Sequence, residues 1–213
     1  MRRNEELVWV FDMDGTLYSN VELMWHETLK EMLKYFRDEL HLPVDLSLAE
    51  QDRLRDKWNT RQTTVAYFNE FNLDFDKIVE ATHLPILDML MMEGRTGLHS
   101  IADLPGRKIV LTNSPEAFAH ALLKKLGIHQ YFDEVLGIRG DLQHAKPNPL
   151  SYARVVTGQR TIMVEDWEEN LRLPHINGWT TVWFPESDKP RPTTFPTHVH
   201  HEIQSLAELA NLV

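Results

Sequence analysis

The sequence predicts an α/β fold: a Rossmann-like, doubly wound parallel sheet, with a helical cap domain inserted after the first strand. Three observations predict it. Short apolar runs recur along the chain, and they are continuous rather than alternating, as strands buried on both faces require. The segments between them carry a helical period with recognisable start and stop signals. One long stretch, residues 18–97, contains no such run and reads as helical throughout.

The elements follow in chain order. LVWVF (7–11) is the first strand, and its β-branched and aromatic residues suit a pleated, buried surface. In the cap, VELMWHETLKEMLKYF places Val21, Met24, Trp25, Met32, Leu33 and Phe36 on a usable apolar face. Ser47-Leu48-Ala49-Glu50 has the spacing of a capping box and opens a second helix. TTVAYFNEF and FDKIVEATH predict two more helices. KIVLT (108–112) is the second strand. After it, Ser114 is placed to cap EAFAHALLKKL, with Pro115 as its first residue and Gly127 as its stop. DEVLGI (133–138) predicts a short strand, Asn148-Pro149 opens a helix over LSYARVV, and TIMV (161–164) and TTVWF (180–184) complete the strand set. The domain expectation is therefore 1–17 and 98–213 for the α/β core and 18–97 for the cap.

Composition narrows the partners. The 213-residue chain carries a formal net charge of −10, which disfavours a nucleic-acid polymer or an anionic membrane as the main partner. It has no cysteine, so no disulfide, thiolate metal site or thiol nucleophile is available. The apolar stretch behind Arg2-Arg3 is too short for a signal-peptide core, and no run approaches the roughly 20 apolar residues of a membrane span. These features predict a cytoplasmic protein.

The stretch DMDGT poses a physical problem. Asp12 and Asp14 sit together at the end of a buried strand, where like charges repel. Ligands bind at the carboxyl ends of strands in open α/β sheets. Three further polar groups fall at such ends or in adjoining loops: Thr112-Asn113-Ser114, Lys146 in the loop HAKPNP, and Glu165-Asp166. Several carboxylates without sulfur or paired histidine ligands suit a hard cation such as Mg²⁺, which would relieve the repulsion. A threonine hydroxyl, free backbone N–H groups near a helix start and one lysine suit a phosphate. Phosphate beside a metal-anchored carboxylate points to phosphoryl transfer onto that carboxylate.

The series DMDGT, a strand ending in TN, then KP, then VED, resembles the haloacid dehalogenase (HAD) superfamily of phosphohydrolases, from residue 8 to about 170. The resemblance implies a role for each position. Asp12 is the nucleophile and Asp14 the general acid, then base. Asp12, Asp166 and the Asp14 backbone carbonyl hold Mg²⁺, with Glu165 acting on it through water. Thr112 and the Asn113 N–H bind phosphate oxygens, and Lys146 neutralises the phosphate and Asp12. Dehalogenases of the superfamily lack the second aspartate, so Asp14 favours a phosphatase. Within the superfamily, DMDGTLYSN, LPGRKIVLTNSPEAFAHALLKKLGIHQYFDEV, EDWEENLRLPHINGWTTVWF and HLPILDML resemble the pyrimidine 5′-nucleotidase branch. That branch often has Asn at the position of Gly15 and Ser at that of Trp167. The resemblance implies a nucleoside 5′-monophosphate as substrate, with a cap that closes over it. Phosphoglycolate, a sugar phosphate or a phosphosugar mutase substrate is the alternative, and a catalytically silent binding protein the second; the intact site set argues against the latter.

Other residues have two readings. Asn170 either orders the acidic loop or faces solvent. Trp25, Trp58, Tyr67 and Phe68 either stack on a base or, as helical spacing favours, form the cap's core. Arg61 is either a substrate contact or a solvated arginine. His198, His200 and His201 either bind a metal or, the preferred reading, lie in a loop leading to a short element.

Overall fold

In a computed structural model, the structure describes residues 7–42, 47–60, 63–89, 93–139, 145–156, 160–186 and 194–213, the side chains of residues 64 and 89 excepted. Arg61 and the Arg2-Arg3 pair lie outside the described residues. The chain divides into two compact units. One comprises Met1–Val21, Met92–Ile138 and Gln143–Val213; the other comprises Glu22–Met91 with Arg139–Leu142.

The first unit is built on a parallel sheet. Its strands are β1 (Val8–Phe11), β2 (Arg107–Pro115), β3 (Glu134–Ile138), β4 (Thr161–Glu165), β5 (Thr180–Trp183) and β6 (His201–Glu202). Their spatial order is β3-β2-β1-β4-β5-β6, with every pair parallel. The central β1 therefore lies between β2 and β4, with Val10 opposite Ile109 on one side and Met163 on the other. Both faces of the sheet are covered, which explains the unbroken apolar runs. Val8, Val10, Ile109, Leu111, Met163 and Trp183 join one buried cluster. Trp9 and Phe11 alternate with them; Phe11 meets Phe132 edge-on at 5.8 Å, and the Trp9 indole donates to the Pro105 carbonyl. Each such buried side chain contributes about 1.5–3 kcal/mol.

The predicted start of the helix after β2 needs correction. Ser114 is not its cap and Pro115 is not its first residue. β2 runs through Pro115, past an irregularity after Leu111, and α6 spans Glu116–Lys125. The residue before a proline is biased towards extended backbone, and Ser114 obeys that bias. Its side chain is used elsewhere, as described below. The stop signal stands: Gly127, at φ 70°, donates its N–H to Lys124 O. α7 (Pro149–Ala153) starts as predicted, with Asn148 accepting from Leu150 N–H. A short α8 (Arg172–Ile176) precedes β5.

The second unit holds α1 (Val21–Asp38, whose first residue belongs to the α/β unit), α2 (Leu48–Lys57), α3 (Thr63–Phe71), α4 (Phe75–Thr82) and α5 (Leu84–Met89). Ser47 caps α2 by accepting from Glu50 N–H, and Asp74 caps α4 by accepting from Lys77 N–H. The core is aromatic-rich: Met32, Phe36, Leu54, Ala66, Tyr67, Phe68 and Ile78. Tyr67 and Phe68 are thus core residues, whereas Trp25 and Trp58 are 39% and 38% exposed. The buried residues of α1 are Met24, Thr28, Met32, Leu33 and Phe36. Trp58 stands beyond the last residue of α2 and donates to Glu70. No helix among the described residues is long and apolar enough to cross a membrane.

Candidate active site

The site grows from the carboxyl ends of β1, β2 and β4. Asp12 follows β1 directly, and its N–H still donates to Val164 O, so the nucleophile candidate is held in register with β4. Gly15 completes the turn at φ 85°, a conformation glycine adopts without strain. A Cβ here would collide with the Asp166 carboxylate. The sequence keeps this position bare so that the two acidic segments can close on each other.

Asp12 is 4% exposed and Lys146 is 4% exposed, yet both are charged residue types. They pair: Lys146 Nζ lies 2.5 Å from Asp12 Oδ1 and 2.9 Å from Glu165 Oε2. Two carboxylates around one ammonium satisfy the requirement that buried charge be paired. Asn113 fixes the lysine's backbone. Its Oδ1 accepts from Lys146 N–H at 2.6 Å, and its Nδ2 donates to Lys146 O at 3.0 Å. The Asn113 side chain therefore acts as a clamp, a function distinct from the N–H contact that the sequence suggested.

Asn170 resolves to the ordering role. It is buried, and its Nδ2 donates to Glu165 Oε1 at 2.6 Å. The next residue, Asp166, is steadied by the Trp183 indole, which donates to its carbonyl at 2.8 Å. Phe184 N–H donates to Glu165 O. Arg95 adds a brace of its own: its guanidinium donates to Gly15 O and Pro185 O and covers the Phe184 ring.

Asp14 faces a different environment. Its Oδ1 accepts from the Tyr18 hydroxyl at 2.7 Å, and its Oδ2 accepts from the Thr112 and Ser114 hydroxyls, both at 2.8 Å. Thr112 Oγ1 also accepts from Ser114 N–H. The two aspartates, two residues apart, are thus split between a lysine-and-carboxylate cluster and a ring of three hydroxyls.

Electrostatics follow this division. Burial pushes the Asp12 carboxyl well above the usual carboxylate range, and Glu165, Asp166 and Asp14 push the same way against Lys146. Burial raises Glu165 too, opposed by Lys146 and Asn170. Burial, then Glu165, pushes Asp166 up to about 8. Burial works to lower the Lys146 ammonium, but Asp12 and Glu165 outweigh it and hold it above the ordinary lysine range. Burial and then Asp14 raise the Tyr18 phenol, which stays a proton donor.

Carboxylate oxygens of Asp12, Glu165 and Asp166 all lie within 4.8 Å of one another. The donor set is oxygen only, and the bare Gly15 lets Asp166 approach closely. These residues fit a small hard cation such as Mg²⁺. The three histidines near the C-terminus do not gather around a common point. His198 pairs with Glu168 at 2.5 Å, His200 accepts from Thr181 N–H, and His201 lies exposed on β6.

The family model of haloacid dehalogenase-like hydrolases matches residues 8–172. The chain belongs to this family. No curated protein matches the sequence. Among solved structures, this HAD-like hydrolase is similar to CbbY of Rhodobacter sphaeroides in complex with phosphate, at 19% identity over 96% of each chain and a TM-score of 0.64. It is also similar to a Thermotoga maritima protein assigned as a β-phosphoglucomutase, at 17% identity over 96% of this chain and 97% of that one, TM-score 0.59. YfnB of Bacillus subtilis, bound to magnesium, matches at 16% identity over 98% and 99% of the two chains, TM-score 0.50. At these identities the likeness establishes the shared fold of the HAD-like hydrolases.

Two residues at the site of this hydrolase were given no site role by the sequence reading. Ser114 was hidden by a competing pattern, the Ser-Pro helix start. Tyr18 stood within the quoted segment DMDGTLYSN but was assigned no role, because an aromatic residue four positions after Asp14 reads equally well as packing.

Proposed function

We propose that this HAD-like hydrolase is a Mg²⁺-dependent phosphomonoesterase that works through an aspartyl phosphate on Asp12. The observation that carries the reading is the split between the two aspartates. Asp12 is paired with Lys146 beside Glu165 and Asp166, while Asp14 is held apart by three hydroxyls. This division supports one carboxylate as the nucleophile and the other as the group that transfers the proton.

The steps follow from these groups. An Asp12 oxygen attacks phosphorus, and the bond from phosphorus to the leaving oxygen breaks as Asp14 gives that oxygen its proton. Water then loses a proton to Asp14, attacks the same phosphorus and frees the Asp12 carboxylate with release of phosphate. Thr112, the Asn113 N–H and Lys146 hold the phosphoryl oxygens. Asp12, Asp166 and the Asp14 carbonyl would hold Mg²⁺, with Glu165 behind them. The ion supplies charge neutralisation between the anionic nucleophile and the anionic ester.

The preferred substrate class is a nucleoside 5′-monophosphate, on the likeness of four sequence segments to the pyrimidine 5′-nucleotidase branch. A phosphosugar is the second reading, favoured by the fold shared with the Thermotoga maritima protein assigned as a β-phosphoglucomutase. The test is phosphate release from UMP, CMP, dTMP, AMP, GMP, phosphoglycolate and sugar phosphates, with Mg²⁺ and with EDTA. Turnover that requires Mg²⁺ and disappears in Asp12→Asn is the expected result; activity retained in that variant refutes the mechanism. Preference for a sugar phosphate keeps the chemistry and replaces the substrate.

A further inference from the structure

We propose that Tyr18 is the positioning residue of the acid–base carboxylate: its phenol fixes the orientation of Asp14 while the phosphate-binding hydroxyls change partners. This inference rests on the phosphatase reading above. Asp14 Oδ1 takes a single hydroxyl, that of Tyr18, whereas Oδ2 takes two, from Thr112 and Ser114. The two sides are not equivalent once substrate enters. A threonine or serine hydroxyl has one proton to donate. If Thr112 gives its proton to a phosphate oxygen, it withdraws it from Oδ2, and Ser114 beside it is open to the same exchange. Oδ2 is then the oxygen released to carry a proton to and from the reacting centre. Oδ1 keeps its donor.

Tyr18 is built to remain in place through that exchange. Its side chain is fully buried. Its backbone is bridged on both sides, to Asp14 and to Gly94. The neighbouring residues extend the same pairing, with Ser19 N–H donating to Glu93 O and Arg95 N–H donating to Leu17 O. The phenol is thus anchored to a rigid backbone crossing rather than to a free side chain. A carboxylate held by one oxygen on a fixed donor keeps its plane when the other oxygen is vacated. General acid catalysis depends on that orientation.

The variant Tyr18→Phe removes the hydroxyl and keeps the ring. The readout is the rate of leaving-group release in the first turnover, compared between an alkyl phosphate and p-nitrophenyl phosphate. The alkyl oxygen needs a proton to depart; the nitrophenyl oxygen leaves as a stable anion. Loss of orientation at Asp14 should slow the alkyl ester about tenfold and the aryl ester by no more than about twofold. KM and the Mg²⁺-induced thermal shift should be unchanged. An equal loss on both esters, or no loss on either, overturns the positioning role while leaving the phosphatase reading intact. A native enzyme that releases phosphate from neither ester overturns that reading, and the role of Tyr18 with it.

Discussion

At the scale of single residues, the site is a compromise between folding and chemistry. Asp12, Glu165 and Asp166 crowd three carboxylates together while the one ammonium, on Lys146, pairs with only the first two, and a Cβ at Gly15 would drive into Asp166. Asp166 shows the cost most directly. Its carboxyl is pushed from an ordinary 3.8 up to about 8, first by burial and then by Glu165. A raised value means that the folded state holds a proton the unfolded chain has released. Stability therefore falls as pH rises from about 4 to about 8, and the whole penalty stands above that window. Asp166→Asn removes it. In EDTA at pH 8 this variant should melt higher than the native protein, by about 2–4 °C for each kcal/mol of repulsion relieved. Native protein should gain stability on adding Mg²⁺, because a ligand that binds only the folded state stabilises it, and the variant should gain little. Differential scanning calorimetry with and without Mg²⁺ decides; a variant that melts lower in EDTA and keeps the full Mg²⁺ response contradicts the assignment of Asp166 to the cation site.

At the scale of elements, what could be read from the sequence depended on whether one local signal stood alone. The strands were legible because a parallel sheet covered on both faces demands continuous apolar runs, as in Val8–Phe11 and Thr161–Glu165. The helix after β2 was legible as a helix, but its start was not, since Ser114-Pro115 satisfies both a capping rule and the rule that a residue before proline stays extended. Tertiary hydrogen bonding chose the second. The face of α1 was legible in Met24, Met32, Leu33 and Phe36, while Trp25 shows that an apolar residue in a helix need not join it. Likewise Asp12, Asp14 and Glu165 announced themselves by charge at the ends of apolar runs, and Lys146 by its place in the motif series, whereas Tyr18 did not. His83, at the end of α4, was equally silent. It is 5% exposed, and burial lowers it to about 4. An unfolded histidine near 6.5 takes up protons that the folded one refuses, so the second unit should lose stability as pH falls from 6.5 to 4. The fall from 6.5 to about 4 corresponds to about 3 kcal/mol. Urea unfolding monitored through the helical unit should show this slope in native protein and lose it in His83→Gln. Parallel slopes in the two proteins would remove His83 as the cause.

At the scale of the whole molecule, the two units divide labour as well as residues. Each has its own apolar core, centred on Val10, Ile109 and Met163 in one and on Phe36, Tyr67 and Phe68 in the other. Every proposed catalytic, phosphate-binding and metal-binding side chain belongs to the α/β unit. Stability of the helical unit should therefore be separable from cation binding. Phe36→Ala opens a cavity in the helical core and should destabilise that unit by about 3–5 kcal/mol. Mg²⁺ should still raise the transition of the α/β unit by the amount seen in native protein. The tryptophans make the experiment practical. Trp25 and Trp58 are the exposed tryptophans of the helical unit, so replacing both with Phe should cost about 0.5 kcal/mol at Trp25 and about 1–2 kcal/mol at Trp58, whose indole bond to Glu70 is lost. Indole fluorescence then reports the α/β unit through Trp9, Trp167, Trp179 and Trp183, while far-ultraviolet circular dichroism, dominated by helix, weights the second unit. With Phe36→Ala in this background, the dichroism transition should move to lower denaturant and the fluorescence transition should keep its midpoint and its Mg²⁺ shift. Coincident transitions that move together would mean that the two cores unfold as one cooperative body. The insertion would then contribute directly to the stability of the chemistry-bearing unit.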